Sequence, residues 1–215
     1  MRPTRRLAAG ALHAENSRDE VLAAAAEAFM LNGFAATSID DVADILGATK
    51  GRVYHYYRSK TDLFLDVHAS TMEMNLAAIR PIAEGAGSAL ERLQRMAYEH
   101  VLLLLTRRSF QRVSIQGLEM HAAGRMTPAG RRKLGKIIGS RDAYEALFRE
   151  VLKQATAGFS SPLEEPRIVV KALLGALNWT TIWYAPKRGE TVAAREKIAR
   201  TVSRYAVNGL WGGPK

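Results

Sequence analysis

The chain has 215 residues, 47% of them apolar, and carries 31 Lys and Arg against 21 Asp and Glu, a formal charge of +10. That length holds one large domain or a small module joined to a larger one, and the positive balance favours a polyanionic partner such as nucleic acid. There is no cysteine, which excludes disulfides, thiolate metal sites and thiol nucleophiles and fits a cytoplasmic protein.

The first residues, MRPTRRLAAGALHA, place basic before apolar as an export signal does, but the apolar part is only about eight residues of mostly Ala and Gly. Residues 1–16 are therefore expected to be a disordered basic arm. The longest strongly apolar run elsewhere, VLLLL at 101–105, is far short of the ~20 residues that span a bilayer, so no membrane is expected among the partners.

Prolines at 3, 81, 128, 162, 166, 186 and 214 leave long intervals with apolar residues at three- and four-residue spacing, which predicts an almost wholly helical chain. In the first third, Ser17 with Glu20, Ser38 with Asp41 and Ser59 with Asp62 each have the S-x-x-acid form of a capped helix start. After Ser17 an apolar stripe of Val21, Leu22, Ala25, Ala28 and Phe29 runs to a stop at Asn32-Gly33. After Ser38 a second stripe of Ile39, Val42, Ala43 and Leu46 is closed by Gly47. A third helix fits only between Thr49 and about Arg58, and two short helices joined across a Gly turn form a helix-turn-helix.

That third helix lies in TKGRVYHYYRSK, residues 49–60, with four cations, three tyrosines, one histidine and no acid. Val53 and Tyr57, four apart, supply its inward stripe, which leaves Lys50, Arg52 and His55 outward and lets Gly51 admit a close backbone. In such a motif the second helix enters the major groove, where Lys and Arg suit guanine edges and Tyr hydroxyls suit phosphates. The competing chemistry is absent from the sequence. There is no nucleophile elbow, dinucleotide fingerprint, P-loop or paired metal-binding histidine motif, and His13, His55, His68, His100 and His121 are scattered, so no cofactor or metal is expected.

The run from 17 to 63, SRDEVLAAAAEAFMLNGFAATSIDDVADILGATKGRVYHYYRSKTDL, resembles the DNA-binding region of the TetR/AcrR family of bacterial transcriptional regulators. Gly33, Thr37, Ile39, Val42, Ala43, Gly47, Thr49, Gly51, Val53, Tyr54, Tyr56, Tyr57 and Lys60 carry the pattern. It departs at Leu46, Ala48 and Tyr57, where Ala, a larger aliphatic and Phe are usual. The resemblance implies an all-α fold with a three-helix DNA-binding domain at 17–62 and a helical ligand-binding and dimerisation domain at 63–215. It also implies that Thr37 and Ser38 meet a phosphate, that Thr49, Lys50 and Arg52 beside Gly51 read bases or their edges, and that Tyr54, Tyr56 and Lys60 grip the backbone. His55 falls in the interface without an assigned role.

Beyond Ser59, periodicity predicts helices to about 80 and then over 88–108, 110–122, 128–157, 165–184 and 191–208. By the resemblance, the last two pair in a homodimer, with Leu173, Leu177, Thr180, Ile198, Val202 and Tyr205 as the seam, and two-fold symmetry matches a palindromic operator. A ligand pocket is expected among Met96, His100 and Leu103, then Val113, Gln116, Gly117 and Met120, then Tyr144 and Phe148, together with Trp179 and Trp183. The W-x-x-x-W-Y-x-P segment at 179–186 is similar to that of family members sensing acyl-CoA thioesters, and Arg125, Arg131, Arg132, Lys133 and Lys136 are candidates to hold a CoA phosphate. The function implied is a homodimeric repressor, released from double-stranded operator DNA by an acyl-CoA of lipid, sterol or organic-acid breakdown. A regulator of an efflux pump sensing hydrophobic or aromatic compounds is the alternative, and a small helical enzyme the remote one.

Overall fold

The computed structural model describes residues 4–116, 126–157 and 165–211, and every regular element among them is helical. Helices α1 (Thr4–Ala36), α2 (Ile39–Leu46) and α3 (Lys50–Tyr56) form the N-terminal head. They are followed by α4 (Lys60–Ala83), α5 (Ala89–Thr106), α6 (Arg108–Gln116), α7 (Pro128–Thr156), α8 (Pro166–Asn178), α9 (Thr180–Trp183) and α10 (Val192–Asn208), with a last 3-10 turn at Gly209–Trp211.

One expectation for α1 is corrected. The helix runs from Thr4, so Ser17 lies inside it rather than at its cap. The Ala-rich run after Pro3 has no breaker stronger than Gly10, and Ala is the best helix former, so the turns propagate through Ser17. At the other end α1 kinks at the expected Gly33, whose φ of 73° and ψ of 165° suit a residue without a Cβ. Ser38 and Asp41 close a reciprocal capping box on α2, and Gly47 ends α2 in the left-handed region at φ 65°. Ser59 caps α4 by accepting from the Asp62 amide.

Two apolar clusters result. In the head, Val21, Ala25 and Phe29 of α1 pack on Val42 and Ala43 of α2, Val53 of α3, Tyr57, and Leu63, Phe64 and Val67 at the start of α4. The larger cluster joins Leu65, Met72 and Ile79 of α4 to Leu93, Met96 and Val101 of α5, Phe148 and Leu152 of α7, Leu173 and Leu177 of α8, and Ala199 and Val207 of α10. The boundary expected between 62 and 63 is thus not a break. Successive residues of a helix point about 100° apart, so α4 buries Leu63, Phe64 and Val67 in one cluster and Leu65 in the other. Helix α6 also reaches the head, through the fully buried Val113. The single helix expected over 165–184 is divided at Trp179 into α8 and α9.

Candidate functional site

Helix α3 presents its outer face because its inner one is committed. Val53 and Tyr57 are buried in the head, whereas Thr49, Lys50, Gly51, Tyr54 and His55 are exposed and Arg52 and Tyr56 half-buried. Thr49 is the N-cap of α3 but makes no side-chain cap bond, which leaves its hydroxyl available to an outside partner. Tyr54 stands 51% exposed, and the His55 ring meets that of Tyr56 edge-on. Ser38, exposed at the start of α2, shares this surface and uses its oxygen as an acceptor for Asp41, keeping its own O–H to donate.

Two residues expected at a phosphate are used inside the head instead. Thr37 is 1% exposed, and its hydroxyl donates to the carbonyls of Ala28 at 3.2 Å and Gly33 at 2.6 Å, sealing the end of α1 at the kink. The Lys60 ammonium donates to the carbonyls of Thr37 at 2.7 Å and Ala35 at 3.0 Å and lies 4.7 Å from the centre of the Phe34 ring. Those carbonyls have no helical amide to satisfy them beyond Ala36, so a cation there stabilises the α1–α2 corner. With both residues so engaged, the outward surface here consists of Ser38, Thr49, Lys50, Gly51, Arg52, Tyr54, His55 and Tyr56.

In the C-terminal region a cavity of about 320 Å³ opens between α4, α5, α6, α7 and α8. Met72, Asn75, His100, Gln111 and Tyr144 line its buried part, with Asn178 beside them, and Ser114, Ile115, Arg141, Glu145 and Lys171 lie toward its mouth. Asn75 and Gln111 form a reciprocal amide pair, Asn75 Nδ2 donating to Gln111 Oε1 at 3.2 Å and Gln111 Nε2 to Asn75 Oδ1 at 2.6 Å. Each amide keeps one N–H and one lone pair for a ligand. Lys171 pairs with Glu145 at 3.1 Å, so Arg141 adds positive charge to an otherwise balanced mouth.

His100 is read from its partners. Asn178 Oδ1, 3.0 Å from Nε2, can only accept, so Nε2 carries the proton, and Nδ1, 2.7 Å from Tyr144 Oη, accepts from that hydroxyl. A tyrosine hydroxyl accepts as readily as it donates, so it is burial that keeps the ring neutral, lowering the His100 pKa to about 4 and raising that of Tyr144. The ordinary value of 6.5 applies once the chain unfolds, so the unfolded state takes up the proton first. His100 therefore contributes stability that is whole above about pH 6.5 and is lost as pH falls toward about 4. At about 1.4 kcal/mol per pH unit the loss is about 3 kcal/mol. Urea midpoints between pH 7.5 and 4.5 are expected to fall in that window for the parent chain and to flatten in His100→Gln. Parallel curves for the two proteins refute the assignment.

Of the expected ligand residues, His100 and Tyr144 line the cavity. Phe148 stands behind them, 0% exposed, its ring 5.4 Å from that of Tyr144. Met96 is wholly buried in the larger cluster, Leu103 is buried outside the lining, and Val113 belongs to the head. Trp179 and Trp183 are 63% and 51% exposed and do not reach the cavity, because the break at Trp179 turns them outward. Gly117, Met120 and Arg125 lie outside the described residues, as does the side chain of Gln116. Arg132, Lys133 and Lys136 line a separate groove with Asp66, Ala69 and Glu73 of α4, and Lys133 is bound by Asp66. The cavity uses Met72 and Asn75, on another face of α4, so these cations do not continue it. Asn75, Gln111, Arg141, Lys171 and Asn178 were missed. A polar residue on an otherwise apolar stripe, as Asn75 is in MNLAAI, is the signal that points to them.

The expected seam residues Leu173, Leu177 and Thr180 are at most 2% exposed and belong to the chain's own interior. Helix α8 needs one face to cover α5, α7 and α10, and Leu173 and Leu177 supply it, with Thr180 following at the start of α9. Ile198 and Val202 are half-buried against the same cluster, and Tyr205 alone of the six stands out, at 82%. The apolar side chains that α8, α9 and α10 do expose are Ile168, Trp179, Ile182, Trp183, Val192 and Tyr205.

A family model for bacterial regulatory proteins of the tetR family matches residues 21–67, and one for the Tetracyclin repressor-like C-terminal domain matches residues 86–210. Over 77 residues the chain is 34% identical to the HTH-type transcriptional repressor KstR2 of Mycobacterium tuberculosis, a match covering 36% of this chain and 38% of that relative. The regulator PfmR of Thermus thermophilus is 26% identical with a TM-score of 0.71, covering 88% of this chain and 98% of its own. The structure of AibR in complex with isovaleryl coenzyme A and operator DNA shares the fold, with a TM-score of 0.69 at 22% identity over 88% of this chain and 97% of its own.

Proposed function

From the chain's place in the TetR family of bacterial regulatory proteins, to which it belongs, we propose that it is a homodimeric repressor that leaves a palindromic operator when a small acyl thioester or the related acid enters its C-terminal cavity. The observation that carries the first half is the outward face of α3, where Thr49, Lys50, Arg52 and Tyr54 are presented because Val53 and Tyr57 are held inside. Nothing in that surface suits turnover, and the chain is read as a regulator, not an enzyme.

The ligand class is supported by the chemistry of the cavity. Its interior offers neutral donors and acceptors on Asn75, Gln111 and Asn178, which suit a carbonyl or hydroxyl oxygen, and Arg141 and Lys171 at the mouth suit an anion. About 320 Å³ holds an acyl group, and a coenzyme A tail has to leave past those two cations. AibR, a fold neighbour, is described in complex with isovaleryl coenzyme A. A polar lining of this kind fits an efflux-type sensor of hydrophobic compounds less well.

A dimer seam is proposed on the exposed apolar side chains Ile168, Trp179, Ile182, Trp183, Val192 and Tyr205, since a patch of this type on a regulator calls for a partner surface. Ligand acts on the DNA only through unequal affinity for two arrangements of the heads.

The test is a shift assay on the DNA upstream of the protein's own reading frame, repeated with isovaleryl coenzyme A, other acyl-CoA thioesters, free acids and aromatic compounds. Sequence-selective binding that falls steeply with salt, released by thioesters or acids, is expected. Binding with no preference over random duplex sinks the repressor reading, and release by aromatic compounds alone sinks the ligand class. Sedimentation of Trp179→Asp is expected to give monomer where the parent chain gives dimer, and an unchanged dimer removes this seam.

A further inference from the structure

Helix α3 carries two full cations, and in the free protein both are held by acids from the other helices of the head. The Arg52 guanidinium is bound to the Glu20 carboxylate of α1, and the Lys50 ammonium lies 3.4 Å from the Asp40 carboxylate of α2. All four side chains are open to solvent, and the two pairs come from two different helices. We propose that Glu20 and Asp40 are built-in competitors of DNA that stand in for phosphate, occupying Arg52 and Lys50 in the free protein and lowering the affinity of the head for any duplex.

The chemistry follows from what each competitor offers. A phosphate presents the same oxyanion geometry to a guanidinium as a carboxylate does, so at a random site Arg52 exchanges one anion for another of equal kind. The acid set free then faces the polyanion it has been displaced toward. At a matching site the guanidinium meets the N7 and O6 of guanine, a two-bond contact made with the base itself and absent at a random site. The acids therefore weaken every complex alike, random and specific, and leave the base-specific gain intact. A chain of charge +10 has need of this, because its nonspecific attraction to DNA is set by its cations.

The inference rests on the head being the DNA surface, and its test needs neither the operator nor the effector. Binding of Glu20→Gln, Asp40→Asn and the parent chain to a random-sequence duplex is measured against salt. Glu27→Gln serves as the control, removing an equal charge from α1 about two turns from Glu20. Each of the two test variants is expected to bind random duplex up to about five-fold more tightly per head. Each is also expected to steepen the slope of log affinity against log salt by up to about 0.9 per head, the effect of one more net positive charge against the phosphates. Glu27→Gln is expected to leave the slope unchanged. Equal slopes for all four proteins, or a change in Glu27→Gln matching that in Glu20→Gln, overturns the inference while leaving the DNA surface in place. If no protein binds any duplex, the reading of the head falls, and this inference with it. Circular dichroism of each variant checks that the helices are retained.

Discussion

Replacing Arg52 with Ala is expected to weaken binding to the operator by roughly 30- to 10,000-fold while leaving binding to random duplex within a few-fold. A bidentate guanidinium contact to guanine contributes about 1–3 kcal/mol of discrimination, and a two-fold dimer makes it at two half-sites, so about 2–6 kcal/mol is at stake. The Glu20 pair that Arg52 leaves on binding moves the result toward the lower end of that range. A titration by gel shift or anisotropy, with sedimentation to confirm an unaltered dimer, checks it. Equal losses on operator and random DNA assign Arg52 to phosphate, and loss of the dimer removes it from the interface altogether.

Phe64→Ala is expected to destabilise the head by about 3–5 kcal/mol, a large part of the about 5–15 kcal/mol that holds a typical domain. Phe64 is 1% exposed, and its ring meets Phe29 edge-on at 5.1 Å and Phe34 at 4.8 Å, so truncation removes both aromatic contacts and leaves a cavity in the head cluster between α1 and α4. Because Leu65, the next residue, belongs to the other cluster, the loss is expected mainly in DNA binding and in a lower first unfolding step, with the dimer retained. Leu31→Ala, at a side chain 63% exposed on α1, is expected to shift the urea midpoint by no more than about 0.5 kcal/mol and serves as the reference. A single unfolding step that moves as a whole in Phe64→Ala shows instead that the two clusters unfold together through α4.

The head was legible to a large extent. The capping box of Ser38 and Asp41, the kink at Gly33, the stop at Gly47 and the outward set on α3 all follow from residues within four positions of one another. Thr37 and Lys60, expected at a phosphate, bond carbonyls of the α1–α2 corner for a common reason. Each is a polar residue at a helix end, and whether it serves a phosphate or a stranded carbonyl depends on how α1 turns after Gly33. Ser17 failed as a helix start because an N-cap signal competes with the segment before it, and the Ala-rich run extended the helix through it.

The C-terminal region was legible as helices but not as a site. Periodicity says which side chains of α8 are apolar, and since nearly all of them are, it does not say which face meets the chain's own interior. Leu173 and Leu177 were therefore assigned to a partner when they pack at home, and Trp179 and Trp183 to a pocket when they face out.

The sequence by itself determined the helices, their caps and the outward face of α3, because those depend on hydrogen bonds and stripes that repeat every three or four residues. Only the tertiary structure decided the C-terminal cavity. Its wall joins Asn75 to Gln111 across 36 positions, His100 to Tyr144 across 44 and His100 to Asn178 across 78. A buried polar side chain requires a partner, but its own position carries no record of which distant helix supplies it.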